Sequence, residues 1–144
     1  MNISKEEKMK KTEDLSKLYV NLNEHLKKMI KYTNSEEDVR THIKELKELQ
    51  VAHIENRNFA RELLKFDFSK LSNNILYKLV AKDVNTLSIK FINLVTLYND
   101  DLVKGVEEDN SELINKTINE VNDFQKEVED KMLPLVSKLK SLSK

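Results

Sequence analysis

The sequence predicts an all-α protein, an up-down-up-down antiparallel four-helix bundle with long helices, and three observations carry that expectation. The chain of 144 residues holds one Gly and one Pro, too few turn formers for a sandwich or barrel. Apolar residues recur at alternating steps of three and four through four successive stretches. The breaks between those stretches are short, so neighbouring helices are forced to run antiparallel. A chain of this length is expected to form one domain over residues 1 to 144 and to bury about two-thirds of its unfolded surface.

Composition excludes several classes of function. Charged residues make up 35 % of the chain, yet 25 basic side chains balance 25 acidic ones, so no global field would draw nucleic acid or anionic lipid. The absence of Cys removes disulfides and thiolate metal sites and fits a reducing compartment. Residues 1 to 32 lack the continuous apolar core of a signal peptide, and no apolar run approaches the roughly 18 residues of a membrane span. A soluble, cytoplasmic protein is expected.

The first segment, about residues 5 to 32, places Leu15, Tyr19, Leu22, Leu26 and Met29 in a four-three rhythm. Before Leu15 only Ile3 and Met9 are apolar, so its first turns are expected to fray or project. The second segment, about 36 to 65, opens after Ser35, a capping residue, with Glu36, Glu37 and Asp38 where the helix dipole favours negative charge. The break at Phe66 to Ser69 reads as a tight turn capped by Asp67 or Ser69, with both phenylalanines packed beneath it.

The third segment, about 69 to 104, carries Leu76, Val80, Val84, Leu87, Phe91, Leu94 and Tyr98 and ends at Gly105, expected to be a left-handed stop. Its centre, Leu87 to Leu102, is the most apolar stretch of the chain and reads as ordinary core, with the Tyr98 hydroxyl as its one chemically useful group. The fourth segment, about 111 to 142, repeats Ile114, Ile118, Val121, Gln125, Val128, Met132, Leu135, Leu139 and Leu142. Pro134 removes a backbone donor inside it and predicts a bend. Ile54, Phe59, Phe124 and Leu133 fall off the main stripes, where a wider core face or a partner would cover them.

Helical bundles often house metals, and a direct test is available. No histidine follows a Glu at the Glu-x-x-His step of a di-metal bundle site, and no His-x-x-x-His occurs. There is no Gly-x-Ser-x-Gly and no Gly-rich phosphate loop. Catalytic residues, metal ligands and cofactors are therefore expected to be absent.

Two polar groupings stand out. On the second segment Gln50, His53 and Arg57 interrupt the inward face, and Gln125 lies at similar height on the fourth. With Asp83 they are expected to form a connected buried layer, which would set packing register or, less favourably, line a small-ligand or cofactor site near His53. The second grouping is an acidic end made of Glu36, Glu37, Asp38, Asp100, Asp101, Glu107, Glu108, Asp109 and Glu112. The opposite end is mainly basic, from Lys5 and Lys8 to Lys140 and Lys144. Dipole compensation accounts for the acidic helix starts but not for Asp100 and Asp101 near a helix C-terminus. The expected function is non-enzymatic: an adaptor, inhibitor, or immunity or antitoxin-like bundle whose acidic end meets a partner protein with a basic surface. A homo-oligomer is the other partner considered, and nucleic acid is not expected.

Overall fold

Every regular element in the computed structural model is helical, and the structure describes residues 4 to 143. Ile3 and Lys144 lie outside them. In chain order the helices are α1 (Lys5–Lys31), α2 (Glu36–Thr41), α3 (Ile43–Leu63), α4 (Ile75–Glu107), α5 (Ser111–Glu127) and α6 (Leu133–Leu142). A 3-10 turn over Phe68–Leu71 precedes α4, and a π turn over Val128–Met132 joins α5 to α6. Among the described residues no helix is long and apolar enough to cross a membrane.

The starts follow from capping chemistry. Ser4, Ser35, Asn74 and Asn110 each accept a backbone amide of the first turn that follows, satisfying donors a helix leaves orphaned. The N-terminal turns are ordered helix from Lys5 onward and do not project. Ser4 caps them, while Lys8 lies over the Tyr77 ring and Lys11 over the Phe66 ring at 5.6 and 5.1 Å from the centroids, so the lysine stems cover aromatic surface.

The connection after α3 is longer than a tight turn. Asp67 caps the 3-10 turn through the Ser69 amide, and Phe68 and Leu71 are buried as its anchors. The chain then passes Ser72 and Asn73 before Asn74 starts α4 six residues later than the sequence spacing suggests. Lys47 pairs with Glu107, Gln50 with Asp100 and His53 with Thr96, so α3 and α4 run in opposite directions and α3 ends well short of the first turns of α4. The 3-10 turn packs on those turns instead.

Helix α4 touches α1, α3, α5 and α6, and its buried stripe runs through Tyr77, Val80, Ala81, Val84, Ser88, Phe91, Val95, Asn99 and Leu102. That stripe is rotated by about one residue from the expected one: Leu76 is exposed, and Leu87 and Leu94 only flank the core. Neighbours on several sides bury several faces, so the most apolar row need not be the most central. Phe124 is also buried and meets both Phe91 and Tyr98 edge to face. Phe59 and Leu133 pack partly against the core, which leaves Ile54 outside it.

Gly105 is a close-approach residue, not the left-handed stop. The helix runs past it to Glu107, and the residue with positive φ is Asp109, at 50°. Asn110 N–H donates to the Gly105 carbonyl and Asp109 N–H to that of Val106, the paired bonds of a Schellman ending with Asp109 in the left-handed seat. A Cβ on Gly105 would stand 2.6 Å from Cγ1 of Ile114, because the first turn of α5 packs directly on this point. The interruption at Pro134 takes the form of the π turn just before it, where Leu133 N–H reaches back to Val128. A widened turn accommodates the proline ring against the preceding carbonyls, and the helix resumes with Pro134 in its first turn.

Gly105→Ala should therefore lower unfolding stability by about 1–3 kcal/mol, the range for overpacking a filled core, measured by urea denaturation with an unchanged m-value.

Candidate functional site

The apolar centre of α4 carries more chemistry than its sequence suggests. Ser88, Thr96 and Asn99 lie within or beside its buried stripe, and each meets a polar side chain of another helix. Ser88 Oγ donates to the Val84 carbonyl at 2.6 Å and accepts from the Tyr19 hydroxyl at 2.7 Å. Thr96 Oγ1 donates to the Ile92 carbonyl at 2.8 Å and faces His53 Nε2 at 3.0 Å. Asn99 Oδ1 lies 2.9 Å from His25 Nε2, while its amide nitrogen donates to the Leu46 carbonyl at 3.1 Å. The two hydroxyls spend their own protons on a carbonyl one turn back and offer an oxygen to the neighbouring helix. An amide oxygen only accepts, so His25 carries its proton on Nε2; Thr96, already donating, places the His53 proton on Nε2 as well.

The two imidazoles meet. Their ring centroids are 4.5 Å apart, His25 is 5 % and His53 2 % exposed, and His53 Nδ1 is buried without a hydrogen-bond partner. Burial, the His25 charge and the Arg57 charge together push the His53 pKa down from 6.5 to about 4. Burial lowers His25 too, against the favourable hydrogen bond to Asn99, with Lys28 adding to the fall. Burial likewise pushes the Tyr19 hydroxyl up to about 12. These groups are held neutral near pH 7 and serve one another as hydrogen-bond donors and acceptors.

Of the expected layer, His53 is buried where the sequence placed it, but the five residues do not join. Gln50 donates to Asp100 at 2.8 Å, Gln125 turns along its own helix to Glu129, and Asp83 is exposed. Arg57 stays beside His53, half-buried, with Nε unpartnered. Two physical reasons account for the difference. The first turns of α4 extend beyond the end of α3 and pack on the 3-10 turn, which brings Thr96, not Asp83, level with His53, and residue 83 lies off the buried stripe that runs through Val80, Ala81 and Val84. His25 and Asn99, absent from the expected layer, had a signal. His25 stands three residues after Leu22 and four before Met29, and Asn99 four after Val95.

The acidic end is partly neutralised from within. Arg40 contacts Glu36 at 2.9 Å and Asp109 at 2.7 Å, and Lys47 contacts Glu107 at 3.1 Å. Hydrogen bonds from Ser111 and Arg40 hold the Glu36 carboxyl below its ordinary range, and Glu36 in turn raises the Arg40 guanidinium. Asp38 sits 3.0 Å from His42. Burial pushes Asp101 up, opposed by Lys104. Glu37, Glu108 and Glu112 remain exposed, and among the described residues none of the three is in an ion pair. The grouping therefore joins α2, α4 and α5, with part of its charge left for solvent.

Among the described residues no group of three or more His, Asp or Glu side chains is placed to hold a metal ion. Comparison of the chain with protein-family models, with curated proteins and with solved structures gives no match.

The histidine pair fixes a pH dependence. An unfolded imidazole titrates near 6.5 and folded His53 near 4, so between those values the unfolded chain binds more protons. Stability should be full above pH 6.5 and fall as pH drops toward 4, by on the order of 3 kcal/mol for His53 alone at about 1.4 kcal/mol per pH unit. Chemical denaturation at pH 7 and pH 5 checks this; His53→Leu should flatten the difference.

Proposed function

We propose that this protein is a non-enzymatic interaction module: an up-down-up-down four-helix bundle that works by binding another protein. In this reading α2 and α3 form one rod of the bundle, and α5, the π turn and α6 form another. The observation that carries it is a line of large aliphatic side chains on the solvent side of α4. Ile75 is 76 % exposed, Leu79 59 %, Ile89 52 % and Leu97 48 %, at helical spacings that bring them toward one face. Single exposed aliphatics are ordinary, but several along one helix face mark a surface a partner covers.

The interior supports the same reading. Tyr19 with Ser88, His25 with Asn99 and His53 with Thr96 are paired to each other, which suits a structural role for these groups. The competing reading, a small ligand or cofactor near His53, has the unpartnered His53 Nδ1 and Arg57 Nε in its favour, but His53 Nε2 is taken by Thr96 and the ring packs on His25. The acidic end enters as a second contact. Glu37, Glu108 and Glu112 are the carboxylates that would meet a basic partner surface, since Arg40 and Lys47 already hold Glu36, Asp109 and Glu107.

A photo-crosslinking amino acid placed at Leu79 or Ile89, with exposed Lys126 as the control position, tests this in the source cell. Discrete adducts from 79 and 89 but not from 126 are expected. No adduct at either position, or the same adducts at all three, would remove the interaction reading.

A further inference from the structure

We infer that the groove α4 forms with α3 and the 3-10 turn is a docking site for an amphipathic helix of a protein partner, with an apolar face flanked by carboxylates. The inference rests on the interaction reading and names the surface and the partner's chemistry.

Two depressions of about 380 and 400 Å³ lie end to end along the outside of α4 and share Ile89. The first has Ala60, Leu64 and Ile92 at its base, with Arg57 and Arg61 on the α3 wall. The second carries Leu79, flanked by Lys78 and Lys82. From Thr96 to Lys78 the groove follows α4 for about 27 Å at 1.5 Å per residue, enough for roughly five turns of a bound helix. An elongated, open trough with successive apolar seats suits the i, i+3/i+4, i+7 anchors of a helix in a groove. A compact ligand would instead require one enclosed pocket.

Charge selects the partner. Among the described residues Arg57, Arg61, Lys78 and Lys82 are in no ion pair. The one carboxylate lining the groove, Asp67, accepts from the amide and hydroxyl of Ser69 and keeps its charge, so the lining holds four cations against one anion. Arg57 and Arg61 stand one turn apart on one wall, where like charges repel unless an anion lies between them, and a guanidinium binds carboxylate in a fixed fork geometry. The chain is neutral overall, so this local cationic rim around aliphatic seats is a property of the groove. Nucleic acid fits poorly, because the base of the groove offers aliphatic side chains and no aromatic platform.

The test uses the full chain and two fluorescent 18-residue helical peptides with identical Leu and Ile anchors, one flanked by Glu and the other by Lys. Anisotropy should show the Glu peptide binding at least tenfold tighter than the Lys peptide and weakening as salt is raised. Ile89→Asp and the double variant Arg57→Glu with Arg61→Glu should each lose at least tenfold, with far-ultraviolet circular dichroism unchanged. Since Arg57 is half-buried, Lys82→Glu with Lys78→Glu, at exposed positions, gives the same readout should the arginine variant unfold. Equal binding of the two peptides, binding that survives both charge reversals, or preference for a 20-nucleotide DNA or RNA would overturn the inference. Adducts at Ile89 that join two copies of this chain, with no binding of the Glu peptide, would also overturn it while leaving the interaction reading in place. Absence of adducts at both Leu79 and Ile89 removes that broader reading.

Discussion

One side chain of α4 links three helices. Asn99 accepts the Nε2 proton of His25 on α1 and donates to the Leu46 carbonyl in the first turn of α3, with 1 % of its surface exposed. Leaving a buried amide unpaired costs about 1–3 kcal/mol for each group stranded, so this contact tolerates little sliding between the helices. Thr96 with His53 and Ser88 with Tyr19 repeat the arrangement along α4. Apolar side chains alone allow helices to slip by a turn at modest cost; three buried polar pairs at separate heights do not. Whether such pairs confer register is a matter of geometry here, since each α4 oxygen has one partner within reach.

The same constraint explains the shape of the connections. With α4 locked against α1 and α3, the chain after Leu63 must cover the extra turns at the start of α4. It does so with the 3-10 turn, whose Phe68 and Leu71 replace the missing part of α3 as core. At the far end the short link from Glu107 to Ser111 brings α5 onto α4 so closely that only Gly fits at 105. Asp109 takes the strained backbone seat that the glycine would have relieved. A small residue was needed more for packing than for turning, and Arg40 holds the Asp109 carboxylate in place.

Charge on the surface follows from that packing. Acidic residues brought together by α2, α4 and α5 trap Arg40 and Lys47, while α3 and the first half of α4 expose four cations to a groove lined by one carboxylate, Asp67. The resulting polarity is local and invisible in a net charge of zero. It places a cationic, aliphatic trough on one side of the molecule and a partly compensated acidic surface at one end.

The all-α class was legible in the sequence because it rests on local rules: helical spacing of apolar residues, capping by Ser35, and the scarcity of Gly and Pro. An irregularity at Pro134 belongs to the same kind, since a missing N–H and a ring clash act within one turn, but its form, a π turn over Val128–Met132 where a bend was expected, was not legible. Burial of His53 was legible too, because it lies on the apolar stripe of α3 in either phase. Its partner was not. Which residue of α4 stands opposite depends on how far the connection climbs along α4 before that helix begins; here the first turns of α4 extend beyond the end of α3, and the match moves thirteen residues, from Asp83 to Thr96. The roles of His25, Asn99 and Gly105 were likewise decided by tertiary structure. A polar residue on an apolar stripe announces burial, but its hydrogen-bond partner comes from another helix; a lone Gly announces freedom, but whether the chain uses it for a turn or for a close approach depends on what packs against it. Spacing along one helix is a one-body property, and register between helices is a two-body one that only the packed structure contains.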